Sequence, residues 1–197
     1  MTSTTSPSVS TVADGDNERA VATIVTAFSG DPALRWVLPD PQQYLMYAPE
    51  FVRRFCGKAF EGQSAFAVGG FMGAALWLRP GVEPDDESLD ELLQQAVPEE
   101  DQGKVSRLFD EMAKYHPHEP LWYLPMIGVD PARHGMGLGS ALLAHALAAV
   151  DREAKPAYLE ATTERSRDLY IRHGFEVIGT IQTADSPPMF PMLRKAR

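Results

Sequence analysis

One glycine-rich segment constrains this chain more than any other: Asp130-Pro131-Ala132-Arg133-His134-Gly135-Met136-Gly137-Leu138-Gly139-Ser140. It is preceded by Leu121–Val129, a run apolar enough for a buried strand. It is followed by Leu138, Leu142, Leu143, Ala146, Leu147 and Val150, which recur on one helical face. A strand must therefore pass into a helix through glycines 135, 137 and 139. These let the backbone turn sharply and keep Cβ atoms away from a bound group. The N–H groups at a helix start have no intrahelical partners, and with the helix dipole they form an anion site. A pyrophosphate fits such a site without a metal.

Three readings of the loop compete on the residues alone. A Rossmann dinucleotide loop follows the first strand and carries an acidic residue about 20 positions on. Here the loop comes late and its glycines are spaced G-x-G-x-G. A Walker loop needs Gly-Lys-Ser/Thr, which is absent. A purely structural turn is the third reading.

The rest of the sequence narrows the setting. The 197 residues suit one compact domain, or one domain with an insertion, and a hydrophobic share of 44% supplies a sizeable core. The only cysteine, Cys56, excludes an intrachain disulfide and a multi-cysteine metal site, and reads as core packing. His116-x-His118 offers two ligands without a third, so no metal is expected. The net charge of −9 argues against nucleic acid and against anionic membrane surfaces as partners. Residues 1–11, rich in Ser, Thr and Pro, read as a disordered tail, and residues 12–197 as a single domain. The longest apolar stretch, Ala65–Leu78, contains three glycines and is too short to span a bilayer, so a cytoplasmic protein is expected.

A coarse reading gives mixed α and β elements. Helical spacing runs from Asp16 to Phe28, stopped by Gly30-Asp31-Pro32, and Arg35–Pro39 reads as a connection. A second helix carries Val52, Phe55, Cys56, Ala59 and Phe60 and is opened or kinked by Pro49. Ala65–Val68 and Phe71–Leu78 read as strands joined by a two-residue Gly69-Gly70 hairpin. Pro84–His118 reads as a helical insertion, with a capping box from Ser88 to Glu91. Ala157–Ala161 is strand-like. Glu164–His173 is helical, with Thr163 as N-cap and Gly174 as C-cap. Phe175–Thr180 and Met189–Leu193 are closing strands. Pro125 inside Leu121–Val129 calls for a bulge.

The glycine segment resembles motif A of the GNAT N-acetyltransferase superfamily, which runs Gln/Arg-x-x-Gly-x-Gly/Ala after a strand. Here it reads His134-x-x-Gly137-x-Gly139, so the first position departs from the pattern. Tyr158–Val177 resembles motif B, most specifically in Leu169-Tyr170 followed by Gly174-Phe175, with Ser166 where the family often has Asn. Ala27–Pro32 and His116–Leu124 are similar to puromycin N-acetyltransferase-like members.

The resemblance implies an α/β (mixed α+β) GNAT fold. Its central sheet is mostly antiparallel, with about six to seven strands flanked by helices, a helical insertion before the fourth strand, and fourth and fifth strands that splay apart. Leu121–Val129 and Ala157–Ala161 would be those two strands, with acetyl-CoA between them. The implied cofactor contacts are Met126, Ile127, Gly128, Val129, Arg133, His134, Gly135, Met136, Gly137, Leu138, Gly139, Ser140, Ser166 and Tyr170. The implied reaction is direct attack of a small-molecule amine on the thioester, with Tyr170 as the acid and a backbone N–H near Ile127 for the oxyanion. The base is left among Glu160, His118, His116 and Glu119, because Tyr123 stands where some members carry a strand glutamate. Acetylation of a protein or peptide, and CoA binding without turnover, are the alternatives. The oligomeric state stays open, a homodimer included.

Overall fold

The computed structural model describes residues 7–183 and 185–197. Among these residues, seven strands form one sheet: β1 (Val9–Thr11), β2 (Ala65–Val68), β3 (Gly73–Leu78), β4 (Trp122–Val129), β5 (Ala157–Ala161), β6 (Glu176–Val177) and β7 (Phe190–Arg194). Their order is β1-β2-β3-β4-β5-β7-β6. All neighbours are antiparallel except β4 and β5, which run parallel. The helices are α1 (Asn17–Ala27), α2 (Pro32–Val37), α3 (Pro41–Cys56), α4 (Lys58–Glu61), α5 (Asp86–Ala96), α6 (Glu99–Tyr115), α7 (Leu138–Arg152) and α8 (Glu164–Arg172). This is the mixed α/β architecture expected from the sequence.

Side-chain alternation on the strands assigns a helical layer to each face. Ala74, Leu76 and Leu78 of β3 pack with α1, α3 and α5, while Ala75 and Trp77 pack with α7. Cys56 is fully buried in the first layer, and burial pushes its thiol well above the usual range, as core packing requires.

Pro125 acts as the anticipated bulge. Leu76 pairs with Met126 but Leu78 pairs with Tyr123, so β4 spends one residue more than β3 over the same span. The extra residue resets the alternation. Trp122 and Leu124 face the α7 layer, and beyond the bulge it is Ile127 and Val129 that face it.

Several local expectations are corrected. Val9–Thr11 belongs not to a tail but to β1, pairing antiparallel with Phe66–Val68. Its stability comes from the backbone edge of β2 rather than from buried side chains, which is why composition hid it; residues 1–6 lie outside the described residues. Arg35–Val37 is helical, because Asp31 and Pro32 start a helix as well as ending one. Asp31 Oδ1 accepts from Ala33 N and Leu34 N, and Pro32 takes the first turn. Asp40 and Pro41 repeat the device, so α3 begins eight residues before Pro49, which sits within it. The β2–β3 connection is four residues long, since Val68 pairs with Gly73, and Phe71 joins both glycines at positive φ. Asp85, not Ser88, caps α5 by accepting from Ser88 N. The closing strand after Phe175 shortens to Glu176–Val177, with Ile181 bridging back to Met189.

Candidate active site

β4 and β5 pair at only two positions, Trp122↔Ala157 and Tyr123↔Tyr158. Beyond Tyr123 the bulge turns β4 away, and the β5-facing edge of Met126–Val129 has no strand against it. Gly128 keeps this part of β4 close to α1, since a Cβ there would collide with Ala27. The parted strands thus leave a gap lined on one side by free backbone groups.

At the end of β4 the chain passes a short 3₁₀ turn, Pro131–Arg133, capped by Asp130 Oδ1, and enters α7. Gly135 and Gly137 have φ of 83° and 77°, a left-handed backbone that costs other residues roughly 1–2 kcal/mol each. Gly137 is the N-cap of α7 and offers no side chain to the helix amides. Residue 141 is the first whose N–H finds an acceptor, Gly137 O. From 135 to 140, six consecutive amides make no hydrogen bond among the described residues. Orphan amides at an exposed helix start are anion receptors.

The side chains of the loop brace it from outside. His134 Nε2 lies 3.1 Å from Val129 O, and its Nδ1 lies 3.2 Å from an Arg165 nitrogen. A carbonyl only accepts and a guanidinium only donates, so the two contacts suit the tautomer that carries its proton on Nε2. Histidine at this position therefore holds the loop to β4. Ser140 Oγ meets His173 Nε2 at 2.7 Å, and burial pushes His173 below the usual histidine range. Gly139 passes close to α8, where a Cβ would come 3.3 Å from Leu169. Leu138 is buried against the sheet, whereas Met136 and Arg133 are exposed.

α8 brings two more of the predicted residues. Ser166 Oγ bonds within 3.2 Å to Thr163 N, Oγ1 and O, closing a capping box at the helix start. Its hydroxyl is thus already engaged by the chain. Tyr170 is 6% exposed, packs on Phe175, and is raised well above the usual phenol range by burial and by the charge of Asp31.

Where the strands part, a pocket partly open to solvent is walled by residues of α2, α3, α6, β4 and β5. Its wall is apolar except for Asp31, Tyr123, Glu160 and Thr162. Glu160 is half-buried and lines this pocket. Tyr123 donates to its carboxylate at 2.9 Å, and Tyr158, two residues before it on β5, buries its hydroxyl without a hydrogen bond among the described residues while still favouring the Glu160 carboxylate. Burial pushes the Glu160 carboxyl up to about 7, and the Tyr123 bond pulls the other way. Asp31 accepts from Thr162 through Oδ2 while its other oxygen caps α2, and burial raises it above the usual carboxylate range.

Of the base candidates, only Glu160 lies in this pocket. His116, His118 and Glu119 line a separate polar cavity, with Tyr123 the wall common to both. His116 stacks edge-on to Tyr123 and Tyr158, with centroids 4.8 and 4.9 Å apart, and burial lowers its pKa. His118 is exposed there, away from Glu160. Asp31 is a candidate site residue that sequence reasoning missed. The sequence presents it as a helix stop, and its tie to Thr162 spans 131 residues.

The comparisons with known proteins agree with this geometry. The acetyltransferase (GNAT) domain family matches residues 96–177, from the end of α5 through α6, the parted strands, the loop, α7 and α8 to β6. An uncharacterized N-acetyltransferase of Schizosaccharomyces pombe is 26% identical over 81% of this chain and 70% of its own. The crystal structure of histone acetyltransferase HPA2 and related acetyltransferase from Corynebacterium glutamicum superposes with a TM-score of 0.70 at 27% identity, covering 98% of each chain. Arylalkylamine N-acetyltransferase 2 from Aedes aegypti shares the fold at 13% identity, with a TM-score of 0.68 over 98% of this chain and 100% of that one. The parted strands, the free amides and these likenesses converge: residues 96–177 match the GNAT acetyltransferase domain, and the chain as a whole is similar to GNAT acetyltransferases in fold.

Proposed function

We propose that the chain transfers an acetyl group from acetyl-CoA to an amine of a small molecule, by direct attack within a ternary complex. One observation carries the reading. The gap that opens after Tyr123↔Tyr158 joins six unbonded amides at one end to a pocket holding Glu160 at the other.

The amides of residues 135–140 suit the diphosphate of CoA, with Arg133 and Arg165 adding positive charge at the exposed rim. The free edge of Met126–Val129 suits the amide-bearing pantetheine arm, and an N–H near Ile127 suits the carbonyl oxygen of the thioester. Glu160, poised near neutrality, takes one proton from the substrate ammonium and frees its lone pair. The C–N bond forms as the C–S bond breaks. The second proton leaving nitrogen reaches sulfur through Tyr170, giving amide and thiol. Because the Tyr170 phenol holds its proton tightly, its first contribution is a hydrogen bond to the departing sulfur.

A largely apolar pocket walled by residues of α2, α3, α6, β4 and β5 suits a small acceptor better than a peptide, which needs an open groove. Thiol release from acetyl-CoA, followed over an amine panel that includes puromycin, tests the proposal. Turnover on at least one amine is expected, with kcat lowered about tenfold or more in Tyr170→Phe. CoA binding without turnover on any amine would favour a sensor, and unchanged turnover in Tyr170→Phe would remove that residue as the acid.

A further inference from the structure

The acceptor pocket holds few polar side chains. Asp31, Glu160, Thr162 and Tyr123 supply its polar groups, and the rest of the lining is apolar, with Phe51, Phe55 and Phe109 among neighbouring aliphatic side chains. The two carboxyls come from elements far apart in sequence and are held rigidly. Asp31 is fixed by the first turn of α2 and by Thr162, and Glu160 is fixed by Tyr123. Neither has a cationic side chain within ion-pair distance among the described residues. A carboxylate has about four lone-pair sites, and both keep sites unused.

A primary ammonium brings three donors and no acceptor, which complements this pair. The rest of the ligand must then lie along the phenylalanine wall, where a second charge or a row of hydroxyls would find no partner and would lose its hydration. We infer that the acceptor is an apolar primary monoamine, an arylalkyl- or alkylamine, whose ammonium is seated by Asp31 beside Glu160. This rests on the acetyltransferase reading above for its chemistry but not for its binding. Asp31 is in this account a positioning residue: it aims the nitrogen, and Glu160 takes the proton. The same arrangement discriminates against polyamines and agmatine, whose second cation would be buried among aromatic rings.

The test uses the whole chain with phenethylamine and hexylamine set against putrescine, spermidine and agmatine, both in thiol-release assays and in calorimetric binding without acetyl-CoA. The monoamines are expected to show kcat/KM at least about tenfold above the polyamines. Asp31→Asn keeps the cap of α2, because asparagine caps as well as aspartate, so the pocket wall stays in place. It is expected to raise the phenethylamine KM and Kd about tenfold or more while leaving the acetyl-CoA KM within about twofold. Met112→Glu, which puts a carboxylate on the apolar wall, is expected to narrow the gap between phenethylamine and putrescine. Polyamine turnover equal to that of the monoamines, or an Asp31→Asn variant with unchanged amine KM and Kd, overturns the inference. Phenethylamine binding that depends on Asp31 without turnover of any amine upholds it and ends the acetyltransferase proposal instead.

Discussion

Tyr123 on β4 donates a hydrogen bond of 2.9 Å to Glu160 on β5, two residues beyond the last rung that joins the two strands. The bond spans the point where the sheet opens. It anchors a carboxyl that burial would otherwise push still higher, and it leaves that carboxyl at about 7, where a base for amines is most useful.

Glu160→Gln should lower kcat by about 10²-fold or more, the usual range for a positioned base. In the parent protein kcat/KM should rise with pH through about 7 as the carboxyl ionises, and the variant should lose that limb. Stability should move in the opposite direction. The folded chain holds an extra proton between the ordinary carboxyl value of 4.5 and about 7, so stability falls as pH rises across that window. Melting curves over pH should find Glu160→Gln the more stable form above about pH 7, with the difference closing toward 4.5.

Tyr123→Phe removes the bond that lowers the Glu160 pKa while keeping the ring that His116 and Phe55 pack against. The acidic limb of the rate profile should shift to higher pH. A limb that stays in place would mean that another group titrates.

Gly137→Val forces a branched side chain into a left-handed backbone at the N-cap of α7. Strain of about 1–2 kcal/mol should lower Tm by several degrees. CoA affinity, measured by calorimetry, should fall about tenfold or more, because the amide cradle is displaced.

Ser166→Ala opens the capping box with Thr163. It should cost about 1 kcal/mol of stability and leave CoA affinity within about twofold. A large loss of affinity with an unchanged Tm would assign the hydroxyl to the cofactor, as the family resemblance suggests.

The second half of the chain was the more legible. The repeat of Leu138, Leu142, Leu143, Ala146 and Leu147 buries one face of α7, and Pro125 is itself the cause of the bulge. β1 and α2 escaped because backbone pairing at a sheet edge and a dual-purpose Asp31-Pro32 leave no hydrophobic periodicity. The choice among Glu160, His116, His118 and Glu119 could not be made from spacing. It depends on which side of Tyr123 each residue falls, and β5 reaches that place only through tertiary packing.

Amide hydrogen exchange with and without CoA tests the central claim most directly. The account predicts that CoA slows exchange at residues 127 and 129, whose amides face the gap, and at 135–140, the loop amides that now lack acceptors. Protection confined to other segments, with these amides exchanging as fast as in the free protein, would contradict it.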